Sequence, residues 1–274
     1  MWSYGPVVFS RPYTIPGARL ADLRGTLLGM GDQESGRIAL VTGGAVRVGR
    51  TIVEALVDDG FDVLIHYAAS AEEAREAREH FLSRGARVEL CRADLADRTA
   101  VGGLAARARR FGGGKLDLLV HNAANFERVA PDALEAGAWD RAMALNATAP
   151  YLLTLALAPE LRAARGSVVA IGCLSAERPY KHYIPYSISK AALVSAMQGL
   201  SLALAPDVRV NVVSPGTVLP PEGIDDERRE RIRRKIPLGR IGEPSDVARA
   251  VLFFAKNHFV TGQVLAVDGG RSIV

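Results

Sequence analysis

Short apolar runs alternate with longer amphipathic stretches along most of the chain, from Arg37 onward. The runs are rich in Val, Ile and Leu, and the stretches between them repeat their apolar residues every three or four positions. This alternation is typical of βαβ units that build a parallel sheet. Strands are predicted at residues 38–41, 61–66, 87–91, 116–121, 167–171, 209–213 and 263–267.

The stretches between the strands predict helices that pack against this sheet. Glycines stand where several of them are expected to end, at Gly85, at 112–114 and at Gly166, because the turn after a helix favours glycine. The helices are predicted at residues 48–58, 71–84, 98–111, 139–163, 186–205 and 245–255. The expected fold is therefore α/β: a single-domain, Rossmann-type, doubly wound parallel sheet of about seven strands flanked by helices.

The beginning of the chain differs from the rest. It carries Pro6, Pro12 and Pro16 and has no long periodic apolar pattern. We predict that residues 1–36 are an N-terminal extension and that residues 37–274 form the folded domain. Charged residues interrupt the extension, so it lacks the apolar run of a secretory signal peptide. The sequence leaves open whether the extension packs, exchanges with a partner or stays flexible.

Composition narrows the class of partners. The 274 residues are 49% hydrophobic and 23% charged, which is enough for one sizeable core. The formal net charge is +4, but the arginines are spread over several predicted helices without interleaved aromatic residues, which argues against nucleic-acid binding. No segment has the roughly 20 uncharged apolar residues of a membrane span. Because Cys91 and Cys173 lack the spacing of a disulfide framework or zinc site, we expect a cytoplasmic protein without a metal.

Residues 42–49, Thr-Gly-Gly-Ala-Val-Arg-Val-Gly, connect the first predicted strand to the first predicted helix. Backbone amides and the positive helix end in such a turn receive a pyrophosphate, and Gly43 and Gly49 let the backbone approach it closely. Ligands of a doubly wound sheet bind beyond the carboxyl ends of its strands, so the residues there are further candidates. The candidates at the strand ends are Leu95, Asn122, Ala123, Pro215 and Gly216, and Val48 is a further candidate in the turn.

The end of the second strand favours NADP over NAD. An NAD-binding protein places an acidic residue there, whereas this chain has His66, Tyr67 and Ser70. Arg47 in the turn supplies a permanent cation whose fork suits phosphate, and Ser70 and His66 can add hydrogen bonds. Two alternatives stay open: the backbone satisfies His66 at the strand end, and Asp94 either holds the adenine edge or caps the next helix.

A second motif, Tyr186-Ser-Ile-Ser-Lys190, lies in a predicted helix. Residues four apart share one helix face, so the Lys190 ammonium is expected beside the Tyr186 phenol. A neighbouring cation stabilises the phenolate and lowers a pKa that is ordinarily about 10, which makes the phenol a usable proton donor. The same spacing occurs on solvated helix faces, so the motif gains its weight from the glycine turn that precedes it.

Four features together resemble the short-chain dehydrogenase/reductase family: the glycine turn, Asn122-Ala123, the Tyr186–Lys190 pair and Pro215-Gly216. The resemblance covers nearly the whole chain apart from the extension. It implies that Tyr186 is the general acid and that Asn146 supports a proton-relay water. It also implies that Lys190 holds the nicotinamide ribose and lowers the pKa of the tyrosine, and that the protein is a homotetramer or dimer.

The turn more narrowly resembles that of the pteridine reductases and the related bacterial dihydromonapterin reductases. In those enzymes arginine replaces the usual middle glycine, as Arg47 does here, and the second strand often ends in His-Tyr with a serine three residues later. Residues 146–151 are also similar to those enzymes. Phe126 falls where they place an aromatic ring that sandwiches the pterin against nicotinamide. The alternative for Phe126 is a core or loop hydrophobe.

One position departs from the resemblance. Most short-chain reductases have serine there and the pterin-reducing ones have aspartate, whereas this chain has Cys173. A thiol is a poor hydrogen-bond donor, so it is a weak substitute for an aspartic acid that delivers a proton to a pterin nitrogen. Ser175 is the alternative group to orient the substrate. By its position Cys173 is a candidate catalytic and substrate-contacting residue, and the alternative is a small buried hydrophobe that fills the gap.

Residues 215–240 carry mixed charges at helical spacing, which is typical of a solvated, salt-bridged helix. The functional alternative is a basic lid over an anionic substrate or a carrier protein. The sequence therefore predicts NADPH-dependent reduction of a pterin-type (dihydropteridine) substrate, with Tyr186 as proton donor. Two alternatives stay open: a 3-oxoacyl (carrier-protein) or other carbonyl reductase and, in another class, a non-catalytic NADP-binding sensor.

Overall fold

Seven parallel strands form one sheet in the order β3-β2-β1-β4-β5-β6-β7. The computed structural model describes residues 36–130, 132, 136–220 and 223–274, so the predicted extension, except for Gly36, lies outside the described residues. The predicted fold class is confirmed, and each predicted strand is present. The strands are β1 (Arg37–Thr42), β2 (Phe61–Tyr67), β3 (Val88–Arg92), β4 (Leu118–His121), β5 (Ser167–Ile171), β6 (Arg209–Pro215) and β7 (Val264–Val267).

Helices cover both faces of the sheet. Their number and order follow the amphipathic stretches of the sequence, except in one region described below. In chain order the helices are α1 (Arg47–Asp58), α2 (Ala71–Leu82), α3 (Arg98–Phe111), α4 (Ala136–Met143), α5 (Ala149–Ala156), α6 (Ala158–Ala164), α7 (Ile184–Leu204), α8 (Asp226–Arg233) and α9 (Pro244–Lys256).

Two apolar cores lie on opposite faces of the sheet because successive strand residues point to opposite sides. On β1, Ile38 and Leu40 join a core that also includes side chains of α3, α5 and α7. Ala39 and Val41 join the other core, with side chains of α1, α2 and α9. The continuous Val, Ile and Leu runs of the central strands are thus explained by burial on both faces.

Strand order reverses at β1, which pairs with β2 on one side and with β4 on the other. At the carboxyl ends of these strands Thr42 is in register with both His66 and His121. Chain connections leave this edge toward opposite faces of the sheet, which opens a crevice between them. The glycine turn and the end of β4 therefore meet where a ligand site is expected.

The predicted helix at 139–163 is wrong as a single element. It consists of α4, a π-helical turn at Ala144–Thr148, α5 and α6, with a bend of 59° before α6. Pro150 and Pro159 stand in the first turns of α5 and α6. A proline lacks the N–H of a helix interior and clashes with the preceding turn, so helices restart at these positions.

The helix α7 is long and apolar enough to cross a membrane by length and composition. About half of its most apolar window is buried in the protein, and it packs on β6 and on the π-helical turn. Its buried side chains include Tyr186, Lys190 and Met197. This burial is usual for a core helix, and it places the predicted proton donor inside the fold.

Candidate active site

The turn between β1 and α1 is held by the residues that follow β4. Thr42 Oγ1 accepts hydrogen bonds from the backbone N–H of Asn122 at 3.0 Å and of Ala123 at 3.1 Å. Asn122 Nδ2 donates to the carbonyl oxygens of Thr42 at 3.1 Å and Gly43 at 2.8 Å. The Asn122 amide therefore shapes the turn from the neighbouring strand, which is a supporting role for this predicted cofactor residue.

Arg47 has a strained backbone at the start of α1. Its φ angle is 53°, in the left-handed region that favours glycine. An L-residue in that region costs roughly 1 kcal/mol or more relative to the right-handed conformation. Its side chain is exposed at the crevice. Strain of this kind is commonly found at ligand sites, where the side chain is used and the surrounding structure maintains the conformation.

His66 lies at the end of β2 with both ring nitrogens bonded to backbone. Nδ1 accepts from the Gly43 N–H at 3.2 Å, and Nε2 lies 3.0 Å from the carbonyl oxygen of Ala93, to which it donates in the neutral ring. Burial lowers the pKa of His66, which keeps the ring neutral. Of the two roles considered, the structure favours backbone support: His66 ties the turn to β2 and β3.

A cleft of about 370 Å³ runs over the turn at the switch point. Tyr67, Pro215 and Gly216 do not line it: Tyr67 packs on an apolar core, and Gly216 packs on Asp268. Asp94 lines the cleft, and one of its carboxylate oxygens accepts from the Ala96 N–H at 3.0 Å. The other predicted cofactor residues that line the cleft are Gly43, Arg47, Val48, Gly49, His66, Ser70, Leu95, Asn122 and Ala123. The lining residues that were not among the predicted cofactor residues are Val46, Ala68, Ala69, Ala124 and Leu145.

The predicted proton donor and its lysine lie on one face of α7, both buried. Lys190 Nζ donates to the carbonyl oxygen of Ile171 at 2.8 Å and lies 5.7 Å from the centroid of the Tyr186 ring. Burial lowers the pKa of Lys190 to about 8. The pKa of Tyr186 is raised above its usual value, first by burial and then by Cys173 and Tyr180. This direction is opposite to the lowering predicted from Lys190, because burial is the largest cause of the shift and Lys190 is not among its causes.

Cys173 lies between two phenols. Its thiol acts on the hydroxyls of both Tyr186 and Tyr180 and raises the pKa of each, and its Sγ accepts from the Ser175 N–H at 3.4 Å. Burial, followed by Cys173, raises the pKa of Tyr180 to about 12. Cys173 is therefore in contact with the predicted acid and is more than a filler of space. Tyr180 was not predicted from the sequence because it lies in an irregular loop.

Asn146 is fully buried in the π-helical turn. Its Oδ1 accepts from the Asn125 N–H at 3.0 Å, and its Nδ2 donates to the Asn125 carbonyl at 3.2 Å and to Ser189 Oγ at 2.9 Å. Ser189 in turn donates to the carbonyl oxygen of Tyr186 at 2.7 Å. The wider turn thus aims Asn146 at the loop after β4 and at the helix that carries the acid, as π turns often do at functional sites.

An aromatic wall stands beside the phenol. The ring of Phe126 stacks on that of Tyr183, with centroids 4.1 Å apart and planes 5° apart. The same Phe126 ring meets Tyr186 edge-on, with centroids 4.7 Å apart at 80°. A backbone hydrogen bond joins the loop that carries Phe126 to the loop that carries Tyr183: the Val129 N–H donates to the His182 carbonyl at 2.9 Å. Because Phe126 lies in a loop and is 53% exposed, it is not a core residue, and the alternative of a loop hydrophobe stays open.

Ser175 is buried in the 3₁₀ turn after β5, and its hydroxyl has no hydrogen-bond partner among the described residues. A buried hydroxyl without a partner is uncommon in folded proteins. The structure brings this residue near Cys173 through the bond from its backbone N–H. The sequence-based expectation that Ser175 orients a substrate stays a prediction.

The lowered pKa of Lys190 predicts an alkaline limit of activity. The ammonium loses its proton as pH rises through about 8, so we expect kcat/KM and cofactor affinity to fall there. His121, whose pKa burial and Lys190 lower to about 3, stays neutral throughout this range. The free energy of unfolding should instead increase with pH. Between about pH 8 and pH 10.5, the ordinary pKa of lysine, Lys190 holds its proton in the unfolded state but not in the folded state, so a rise in pH stabilises the folded state.

Steady-state rates and urea unfolding on both sides of pH 8, for the protein and for Lys190→Met, test this expectation. The methionine variant should lose the alkaline increase in unfolding free energy. Two outcomes would assign the alkaline loss of activity to another group. One is a loss of activity that coincides with unfolding of the protein, and the other is residual activity of Lys190→Met that falls at the same pH as that of the unaltered protein.

Comparison with known proteins gives consistent matches over almost the whole described chain. A family model described as enoyl-(acyl carrier protein) reductase matches residues 44–272. The granaticin polyketide synthase putative ketoacyl reductase 2 of Streptomyces violaceoruber is 33% identical, over 89% of this chain and 99% of that protein.

Solved structures match to a similar extent. The FolM alternative dihydrofolate reductase 1 from Brucella suis, in complex with NADP, has a TM-score of 0.81 and 36% identity, over 87% of this chain and 96% of that one. A short-chain dehydrogenase/reductase from Serratia marcescens also has a TM-score of 0.81, with 31% identity over 87% of this chain and 98% of that one.

Proposed function

Because the chain belongs to the short-chain dehydrogenase/reductase family, we propose that it is an NADPH-dependent reductase of pterin-type substrates. The observation that carries this proposal is the aromatic wall, in which Phe126 lies edge-on to the Tyr186 phenol at 4.7 Å. A flat heterocycle that stacks on such a wall places its ring nitrogens beside the proton donor. The likeness to a dihydrofolate reductase bound to NADP supports the same substrate class, with dihydrofolate as one candidate.

The cleft over the turn fits NADPH. Arg47 offers a cation for the 2′-phosphate, Ser70 adds a hydroxyl, and no acidic residue stands at the end of β2 to repel it. In this proposal Asp94, which lines the cleft, binds the adenine, and Lys190 binds the nicotinamide ribose. The reduced nicotinamide, when bound, supplies the hydride. The residues described next supply the proton and the geometry.

Tyr186 keeps its proton at neutral pH because its phenol is buried and its pKa is raised. That state is the one required of a donor in the reductive direction, in which the hydroxyl protonates the nitrogen or oxygen beside the carbon that is reduced. Cys173 lies beside the phenol and raises its pKa further. Asn146 and Ser189 fix the helix backbone at Tyr186. The predicted proton-relay water at Asn146 stays a proposal.

Replacing Arg47 by glycine should separate cofactor choice from stability. Glycine adopts a φ angle of 53° without strain, so thermal stability should stay the same or rise. Loss of a charge-assisted contact to the 2′-phosphate should raise the Kd for NADPH about tenfold to a hundredfold while the Kd for NADH changes little.

Fluorescence titration with both cofactors measures this difference. Arg50→Gly is unsuitable as a control because it weakens a helix interior, so we choose Arg50→Ala, which removes a cation of α1 that pairs with Glu76 at 3.4 Å. Equal losses of NADPH affinity in the Arg47 and Arg50 variants would contradict a specific phosphate contact.

A second function is favoured by Cys173, which offers no carboxylic acid to a pterin, and by the relative named as a putative ketoacyl reductase. In this alternative the protein reduces a 3-oxoacyl thioester or another ketone, and the Ser175 hydroxyl binds the carbonyl oxygen. A third possibility, a non-catalytic NADP-binding sensor, requires that the Tyr186, Lys190 and Asn146 arrangement serve no reaction.

The test follows NADPH oxidation with dihydrobiopterin or dihydromonapterin and, in parallel, with an acetoacetyl thioester. Phe126→Leu should raise the KM for the pterin about fivefold to tenfold and leave that for the thioester unchanged, because only the flat ring loses a stacking partner. Turnover of the thioester alone would move the protein to the ketone reductases. Binding of NADPH without turnover of either substrate would support the sensor.

We also propose that the protein is a cytoplasmic homodimer or homotetramer. Apolar side chains stay exposed on the helices that flank the site and on the edge strand β7: Trp139, Tyr151, Leu155, Ile188, Leu202 and Leu265. Exposed apolar surface of this kind is typical of a contact between subunits. Light scattering after size-exclusion chromatography would give the mass, and a monomer at micromolar concentration would contradict the proposal.

A further inference from the structure

A second cavity, of about 750 Å³, is lined with cations. We name it the basic cavity and define it by Leu174, Arg178, Tyr180, Arg234, Lys235 and Arg271. Among the described residues that line it, four have cationic side chains and none has an acidic side chain, while the main-chain oxygen of Val274 accepts from Arg178. Its volume is within the range of roughly 300–1,000 Å³ that holds small molecules.

The basic cavity shares a wall with the predicted acid. Tyr180, which lines it, interacts with Cys173, and Cys173 interacts with Tyr186. Leu174 follows Cys173 directly in the chain. Tyr186 and the basic cavity are therefore linked through Cys173 and Tyr180.

The positive charge of the basic cavity is only partly neutralised. Glu230 pairs with Arg234 at 2.9 Å, but it pairs with Arg233 as well. Arg178 donates to the backbone oxygen of Val274. Arg271 donates to the neutral hydroxyl of Thr217 at 3.0 Å. Within the described part of the chain, no acidic side chain forms an ion pair with Lys235 or Arg271.

Resting on the proposed function, we propose that the basic cavity binds an anionic substituent of the substrate, a carboxylate or a phosphate, while the reducible group lies against Tyr186. Cations gathered without acids repel one another, and an anion relieves that repulsion. The anion has two chemical sources: the glutamyl tail of a folate-type pterin or the phosphates of a coenzyme A thioester. In either case the basic segment after α8 contributes to substrate selection.

Matched substrates with and without an anionic tail test the proposal. Dihydrofolate is compared with dihydrobiopterin, and acetoacetyl-coenzyme A with the uncharged acetoacetyl-N-acetylcysteamine, in the holoenzyme. Lys235→Gln and Arg271→Gln should each raise the KM for the tailed member about fivefold, as loss of one partly exposed charge contact does, with kcat unchanged. The untailed member should be unaffected. Arg271→Lys should recover most of the affinity.

The control is Arg229→Gln, which removes the same charge from α8 at an exposed position outside the basic cavity. Unchanged KM for the tailed substrates in the Lys235 and Arg271 variants would overturn the proposal. So would an equal rise for tailed and untailed substrates, or an equal effect of Arg229→Gln. Thermal melts show whether each variant keeps its fold. If Arg271→Gln does not, the KM values of Lys235→Gln alone decide the test.

Failure of the proposed function is distinguishable from failure of this inference. If the unaltered protein reduces neither pterin nor thioester, calorimetric binding of folate and biopterin replaces the rates. Tighter binding of folate that Lys235→Gln abolishes would still support the basic cavity as an anion site. Equal affinity for the two compounds would overturn it.

Discussion

The variant Tyr186→Phe should lose turnover by about two to four orders of magnitude while its Kd for NADPH stays within about twofold of the unaltered value, since general acid catalysis contributes that much. Phenylalanine keeps the ring that packs edge-on against Phe126 at 4.7 Å. Only the hydroxyl is lost, and with it the proton that the reaction consumes. Tyr186 is not among the residues that line the cleft over the glycine turn, so the cleft retains its lining.

Stopped-flow rates of NADPH oxidation, together with cofactor titration, measure both effects. Tyr151→Phe is the matched control, because it deletes the same atom from an exposed tyrosine of α5. The control should retain full turnover. A Tyr186→Phe variant with normal kcat would remove Tyr186 from the proton-donor role.

The sheet and its helices were predictable because burial imposes a periodicity on the sequence. Each central strand is an apolar run, since it is covered on both faces, and each amphipathic stretch is a helix that covers it. The break of the predicted helix at 139–163 was missed because apolar periodicity continues through it. Pro150 and Pro159 were the available signal, and a stricter use of proline as a helix start would have found the break.

The candidate site was predictable where a residue type has a fixed place in a regular element. Tyr186 and Lys190 on α7 and the turn before α1 are of this kind. Tyr180 and Tyr183 lie in the segment between β5 and α7, which has no regular periodicity. The sequence position of a residue there does not indicate which way its side chain points, so the contacts of these tyrosines with Cys173 and Phe126 appeared only in the structure. The raised pKa of Tyr186 was missed for another reason: helical spacing gives proximity to a cation but not the degree of burial.

The substitution Gly49→Ala should abolish cofactor binding and lower stability by roughly 3 kcal/mol or more, at or beyond the upper end of overpacking effects. A Cβ at this position would overlap the carbonyl oxygen of Gly43 and lie 2.6 Å from Asn122 Nδ2. Both are fixed, because Asn122 Nδ2 donates to that same oxygen at 2.8 Å. The added methyl group must therefore push α1 away from the turn, which opens the cleft that Gly43, Arg47 and Gly49 line.

Urea unfolding and NADPH titration of Gly49→Ala are compared with those of Gly102→Ala. Gly102 lies inside α3, and a Cβ there meets nothing within 4 Å. Alanine loses less backbone entropy than glycine in a helix, so the control should gain about 0.5–1 kcal/mol and bind NADPH normally. The two variants make the same chemical change in two helices that pack against the same sheet. Their opposite signs would show that close packing of the turn, rather than helix propensity, requires glycine at position 49, whereas normal NADPH binding by Gly49→Ala would show that the turn yields without loss of its ligand.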